Sequence, residues 1–402
     1  MSLYTNFDHY DMPVGADGSP YGFFEALRDE AAETGQYVGW SENYGGFWLT
    51  TGWNESRAIH VNTKAFSNVA VTFPPQGNPS GNPSMLSGMD DPDHKRYRAI
   101  VQGQFTTERA NEMEAQLRAI TNDLIDTIIE AGRADACSAT DLLPERAATA
   151  ILGLHLEDGP KYRRFVHAIV LYPTDPEAAA PVLAEMETYW TAIMKEKREN
   201  PTPGLLSEII NSEYNGVKLN DTELLDFFSV LLLGGLDNTA RFFGNVFWRL
   251  ATDPALRREL VEHPELVPFA VEEFLRLDGP ACVFRLVLED IEIGGVQLKK
   301  DQVVGLFHPV TNRDPRQFDD PDTFVIERSP NRHFSLGTGV HRCLGLNLVK
   351  VEARILLQEF LRRIPEFELD PEREPRWISG QVGAMHEVPI VFTPGSKEGK
   401  QA

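Results

Sequence analysis

The longest stretch of helical periodicity begins after Asn220 and runs to about Leu250, and two adjacent glycines, Gly234 and Gly235, fall in its most apolar part. Asp221, Thr222 and Glu223 give it a cap and an acidic first turn. Two glycines cost a helix about a kcal/mol each relative to alanine, and a helix carries that cost where a groove must open or a ligand must approach the backbone. The apolar run Phe227 to Leu236 is about half of what a membrane span needs. Apolar residues also recur at helical spacing over residues 21–32, 110–129, 177–194, 254–262, 264–277 and 344–364. Strand signals are fewer: a hairpin over 291–298 turning at Gly294-Gly295, and short strands at 303–307 and 388–392. Residues 72–84 hold four prolines and two glycines in thirteen positions, which forbids helix or central strand. With no repeat and no low-complexity linker, residues 1–402 read as one domain, mainly α with small β-sheets, although length alone suggests two or three.

Charge and cysteine content bound the partners. The 38 Lys and Arg against 60 Asp and Glu give a net charge of -22, a field that repels phosphate backbones and anionic lipid. Neither nucleic acid nor a membrane surface is therefore expected as a partner. The first residues, MSLYTNFDHYDMPVG, lack the basic and apolar regions of a signal peptide. Cys137, Cys282 and Cys343 are odd in number and far apart, so the expected compartment is a reducing cytoplasm.

One cysteine sits in a pattern that carries chemistry. Leu336-Gly-Thr-Gly-Val-His-Arg-Cys343-Leu-Gly345 places glycines at 337, 339 and 345, which let a backbone fold tightly round one sulfur and approach a flat ligand. A long amphipathic helix is expected immediately after Cys343, and its N-terminal N–H groups would favour the thiolate. A cysteine at a helix start is on its own most often a small buried hydrophobe. The glycine spacing and the adjoining His341 reverse that reading.

This segment resembles the haem-binding signature of the cytochrome P-450 family, Phe-x-x-Gly-x-x-x-Cys-x-Gly, with Gly339, Cys343 and Gly345 matching and Leu336 where phenylalanine is usual. The resemblance implies a cytochrome P-450 fold with haem b between the long oxygen-side helix and the cysteine-loop helix. It makes Cys343 the axial ligand of the haem iron, whose thiolate favours O–O cleavage. Glu273-Phe-Leu-Arg276 matches the family's Glu-x-x-Arg, with Arg328 as the third member of a buried triad that holds the cysteine loop. Asp91-Pro-Asp-His94-Lys-Arg-Tyr-Arg98 matches as well. By resemblance His94, Arg98, Arg285 and His341 pair with the two haem propionates, four donors for two carboxylates.

Leu231-Leu-Leu-Gly-Gly-Leu-Asp-Asn-Thr-Ala-Arg-Phe242 corresponds to the family's Gly-x-Asp/Glu-Thr, an acid and a hydroxyl that guide protons to dioxygen. Here Asp237 keeps the acid, Asn238 replaces the threonine, and Thr239 lies one position later, about 100° round the helix. That stretch is similar to the bacterial members of the family that hydroxylate 1,8-cineole. So are residues 23–30, 64–68, 330–333 and 380–385. In such a relative the asparagine hydrogen-bonds the substrate's ether oxygen. The expected function is hydroxylation of a small monoterpenoid, 1,8-cineole or a similarly compact cyclic ether or ketone, in a pocket walled by residues 69–86, 233–238 (Leu233, Gly234 and Asn238 among them), Val283 and 382–384, Val382 included. O-demethylation of a small methoxyarene is the alternative enzyme reading. Retention of Asp237 argues against a haem sensor or carrier. No flavin or iron–sulfur motif occurs, so electrons are expected from a separate ferredoxin or flavodoxin. Arg342, Lys350 and Arg354, clustered round the ligand loop, are the expected docking charges.

Overall fold

The computed structural model describes residues 2–74, 85–172 and 175–399. Its spine is the helix Asp221–Thr252, which starts on a capping box: the Glu223 N–H donates to Asn220 Oδ1 at 3.0 Å, and the Asn220 N–H to the Glu223 carboxylate at 2.8 Å. The helix runs unbroken through Gly234 and Gly235. They serve two different surfaces. A Cβ at Gly235 would stand 3.2 Å from the Ala148 Cβ of helix Leu142–Leu152, whereas one at Gly234 would meet nothing within 4 Å. Further along, a Cβ at Gly244 would lie 2.3 Å from the Met385 carbonyl oxygen, so the helix passes flush against strand Ala384–Glu387. The next residue, Asn245, fixes that crossing: its Oδ1 accepts the Met385 N–H at 2.9 Å and its Nδ2 donates to the Asp278 carbonyl at 2.9 Å.

Helix Leu346–Arg363 packs against Glu114–Asp126 and Val267–Asp278, and Phe360 meets Phe247 of the spine edge to face at 4.6 Å. A five-stranded sheet lies to one side, in the order Val38–Ser41, Phe47–Thr50, Val303–Phe307, Cys282–Val287, Phe66–Ser67. The second and third strands pair in parallel, the others antiparallel. Alternation along Cys282–Val287 sends Cys282 and Phe284 into a cluster with Phe7 and Phe47, and Val283 and Val287 to the opposite face with Ile59 and Leu306. Arg285 belongs to that second face. Smaller sheets join Phe367–Leu369, Pro389–Phe392 and Arg133–Asp135, and the hairpin Ile291–Ile293/Val296–Leu298 forms as predicted.

Helix boundaries shift in places. The single helix predicted over 110–129 is two, Thr107–Glu112 and Glu114–Asp126, with Met113 at the joint. Pro264–Leu266 is a 3-10 turn leading into Val267–Asp278. Helices Leu142–Leu152, Gly159–Leu171 and Leu205–Asn211 are not predicted by periodicity. Of the predicted loop over 72–84, residues 75–84 lie outside the described residues. No helix among the described residues is long and apolar enough to cross a membrane.

Candidate active site

The cysteine loop closes on itself through its backbone. The Cys343 N–H donates to the Leu336 carbonyl at 2.8 Å, the Gly337 N–H to Phe334 at 2.7 Å, and the Arg342 N–H to Gly339 at 3.2 Å. Gly337 and Gly339 take φ values of +64° and +70°, left-handed backbone that a side chain would strain. The helix that follows begins at Leu346, not immediately after Cys343, so the sulfur faces the Gly345 N–H of the intervening turn. Burial pushes the thiol pKa up, and the Gly345 N–H, Arg98 and Arg342 pull it back toward the thiolate.

The loop is tethered to helix Val267–Asp278. Glu273 and Arg276 have no exposed side-chain surface and form a bidentate pair at 2.6 and 2.8 Å. Arg328 Nε joins Glu273 at 3.0 Å, and the Val325 N–H and the Asn331 amide each donate to the same carboxylate at 3.0 Å. Arg276 spends its remaining donors on the carbonyls of Asn312, Pro321 and Thr323. Sequence reasoning missed Asn312, which carries the connection onward: its Nδ2 donates to the Arg276 carbonyl at 3.0 Å and to Ser335 Oγ at 2.8 Å, and its Oδ1 accepts the Phe334 N–H at 2.8 Å. A buried asparagine bridging two segments leaves no local pattern that would single it out.

The four residues predicted to meet the haem carboxylates are brought into one neighbourhood. The His94 and His341 rings stand 4.0 Å apart, and Arg98 donates to the Arg342 carbonyl at 2.7 Å. His94 is buried, with Nδ1 3.4 Å from the Asp91 carboxylate, a loose contact. Burial, together with His94, Arg285 and Arg98, drives His341 down to about 3. Arg285 is 5% exposed, and its hydrogen bond runs to the Phe284 carbonyl, with no carboxylate paired to it among the described residues. Burial lowers its pKa to about 10, and Asp90 opposes that shift. A buried guanidinium without a counter-ion needs an anion, and a haem carboxylate fits that need.

On the spine helix, Gly234 and Asn238 are exposed one turn apart on one face, while Asp237 and Thr239 are half-buried. Asp237 is paired with Arg241, to which no motif in the sequence gives a role. Leu233 is half-buried and packs against the cluster that includes Leu232 and Leu236. Val283 pairs with Leu306 across the sheet, and Val382 forms a lone bridge with Ala281.

The sequence model of the family described as cytochrome P-450 matches residues 177–393. The chain is 31% identical over 361 residues to the mycinamicin IV hydroxylase/epoxidase of Micromonospora griseorubida, covering 86% of this chain and 89% of that protein. It is 33% identical over 362 residues to the nocardicin C N-oxygenase of Nocardia uniformis subsp. tsuyamanensis, with 86% and 89% covered. Among solved structures, a Bacillus megaterium protein in complex with testosterone aligns with a TM-score of 0.83 at 27% identity, over 93% of this chain and 98% of that one.

Proposed function

The chain belongs to the cytochrome P-450 family, and we propose that within it this protein hydroxylates a small monoterpenoid, 1,8-cineole or a similarly compact cyclic ether or ketone. It is a monooxygenase that carries haem iron and uses dioxygen and electrons from a redox partner. The relatives named above act on or bind other compounds. The substrate reading therefore rests on one observation: Asn238 stands directly after Asp237, and its amide is exposed on the same helix face as Gly234.

In this reading residues 1–402 act as one unit round haem b. The bound group, ligated by the Cys343 thiolate, supplies the dioxygen-splitting oxidation. Arg285 and Arg98 would neutralise its carboxylates, and the neutral His341 and His94 rings would donate hydrogen bonds to them. Glu273, Arg276 and Arg328 hold the cysteine loop through Asn312 and Ser335. Asp237, its direction fixed by Arg241, moves protons inward, with Thr239 beside it. Asn238 donates to the substrate oxygen, and Leu233, Gly234, Val283 and Val382 shape the apolar wall that excludes water. A ferredoxin or flavodoxin docks on the cysteine face.

Spectral titration of the ferric protein with cineole, camphor and guaiacol tests the substrate class. Cineole is expected to shift the Soret band to the blue at the lowest concentration. A shift with guaiacol alone would replace this reading by O-demethylation. The ligand assignment has its own test: Cys343→His keeps haem but loses the strongly red-shifted Soret band of the reduced carbon monoxide complex. Persistence of that band would remove Cys343 as ligand.

A further inference from the structure

Against the cysteine loop stands an aromatic pair that no motif in the sequence points to. Trp53 opens the helix Trp53–Val61, and Phe334 lies at the start of the loop. Their rings are 5.1 Å apart and inclined by 30°. Both side chains are held in place. The Trp53 indole N–H donates to the Arg332 carbonyl at 2.8 Å, and its backbone N–H to the Asp314 carboxylate at 2.7 Å. Phe334 is buried, and its N–H donates to Asn312 Oδ1 at 2.8 Å. Its ring also stacks on that of His60 at 5.3 Å, and His60 Nε2 in turn lies 3.1 Å from His308 Nε2.

The pair joins the surface to the sulfur. Trp53 is half-buried and lines a recess together with Arg57, Arg332 and Arg342, all three exposed. Arg57 follows Trp53 by one helical turn, and Arg342 precedes Cys343 in the chain. These three guanidinium groups form no ion pair among the described residues, so they make a local positive field on a chain whose net charge is -22. From Phe334 the backbone passes through Ser335 to Leu336, whose carbonyl accepts the Cys343 N–H at 2.8 Å. The line from recess to sulfur therefore consists of one ring contact, a short run of covalent bonds and one hydrogen bond. Electron tunnelling decays less through bonded and packed matter than across a solvent gap, and this line has no gap in it. The positive recess and the ring that opens the line share one place.

We propose that electrons enter this protein through Trp53: an acidic electron-transfer protein seats on the recess of Arg57, Arg332 and Arg342, and its electron crosses the Trp53–Phe334 stack and the Leu336–Cys343 hydrogen bond to the sulfur. The inference rests on the haem and redox-partner reading above and names the side chain through which that partner works. The donor is oxidised by one electron and the ferric iron is reduced by it. No bond forms or breaks, and no proton moves at Trp53. The arginines supply the encounter, the indole the coupling.

The test reads rate and affinity apart. Holoprotein under carbon monoxide is reduced in stopped flow by rising concentrations of a reduced, acidic plant-type ferredoxin. Growth of the red-shifted Soret band then gives a limiting rate and a half-saturating concentration. Trp53→Leu is expected to lower the limiting rate severalfold with half-saturation unchanged, and Trp53→Phe, which keeps a ring against Phe334, to restore most of it. Dithionite, small enough to need no dock, should reduce both variants at the wild-type rate. Changing Arg57 and Arg332 to Gln should do the opposite, raising the half-saturating concentration at low salt and leaving the limiting rate alone. A wild-type limiting rate in Trp53→Leu overturns the route. So does a change confined to half-saturation, which would make Trp53 a docking contact only, or an equal loss with ferredoxin and dithionite, which would mark a distorted loop. Trp53→Met fills the space without a ring and replaces the Leu variant if that does not fold. Dithionite with wild type tests the haem reading by itself, since absence of the red-shifted band would remove it. Only the ferredoxin-limited rate across the Trp53 variants tests the route.

Discussion

Arg241 reaches back one helical turn to Asp237, its Nε 3.2 and 3.1 Å from the two carboxylate oxygens. Both side chains are partly exposed, at 25% and 32%, so the pair orients the acid more than it stabilises the fold. If Asp237 moves protons, two variants should separate carrying from aiming. Asp237→Asn removes the carrier and is expected to slow turnover about a hundredfold. Arg241→Ala leaves the acid free to turn and is expected to cost about tenfold. Neither alters where the substrate is hydroxylated. Product formed per electron and peroxide released are the measurements. Wild-type turnover in Asp237→Asn would take the acid off the proton path.

The Glu273–Arg276 pair gives a stability prediction. Both side chains are fully buried, so Glu273→Gln strands a guanidinium without its counter-charge. Breaking a buried pair from one side costs about 3–5 kcal/mol. Arg328, with 10% of its side chain exposed and three carbonyl contacts of its own, should be the smaller loss when changed to Lys. Urea unfolding of the two variants ranks them. The reverse order would mean that the loop is held mainly through Arg328.

The unpaired positive charge that could dock an electron donor is narrower than the sequence suggests. Lys350 is tied to Glu272 at 2.5 Å and Arg354 to Glu114 at 2.9 Å, so their charges are already answered. Arg342 is exposed and shares a recess with the exposed Arg57 and Arg332, and no ion pair is formed by these three among the described residues. Arg342→Glu is expected to slow reduction by an acidic donor about tenfold at low salt, and the deficit should shrink as ionic strength rises. Lys350→Gln and Arg354→Gln should change it little. Stopped-flow reduction at two salt concentrations checks this, and a salt-independent deficit would exclude a charge-steered dock at Arg342.

What was legible in the sequence was what lies close along the chain. The Cys343 loop, the Glu273–Arg276 spacing and the spine with its Asn220 cap each fit within a few turns of backbone, so residue order alone exposes them. Contacts made at long range were not legible. His60 and His308 are 248 positions apart, and nothing local marks either one. The answering of Lys350 by Glu272 depends on two helices meeting, which charge clustering in the sequence does not foretell. Gly244 needs the Met385 carbonyl to explain it, just as Gly235 needs Ala148. Helix Leu142–Leu152 escaped detection because seven of its residues are buried, which blurs the one-sided period of an amphipathic helix.

A pH prediction follows from Glu352 on the cysteine-loop helix. It is 2% exposed, no ion pair to it occurs among the described residues, and burial pushes its carboxyl from 4.5 up to about 8. The folded state then holds a proton that the unfolded chain releases near its lower value. Its contribution to stability is present at low pH, declines as pH rises from about 4.5, and levels off above about 8. Glu352→Gln abolishes that slope, so the variant should gain on wild type between pH 5 and pH 8. Thermal midpoints across that range make the comparison, and parallel profiles would show that Glu352 is ionised in the folded protein.

Asn238 should set where the substrate is oxidised rather than whether dioxygen is used. Its amide occupies the position where the family usually has a hydroxyl, next to Asp237 and exposed on the same face as Gly234. A neutral hydrogen bond is worth about 0.5–1.5 kcal/mol net, enough to choose between carbons on a compact, nearly round molecule. It is too little to abolish binding that apolar burial drives. Asn238→Ala is therefore expected to weaken affinity less than about tenfold and to scatter hydroxylation over several positions, while electrons remain coupled to product. The proton path through Asp237 is untouched by that change, which separates this variant from Asp237→Asn, where products hold and the rate falls. Regiochemistry and peroxide yield are measured together with the true substrate. A single unchanged product with most electrons lost to peroxide would place Asn238 in the proton path and remove its orienting role.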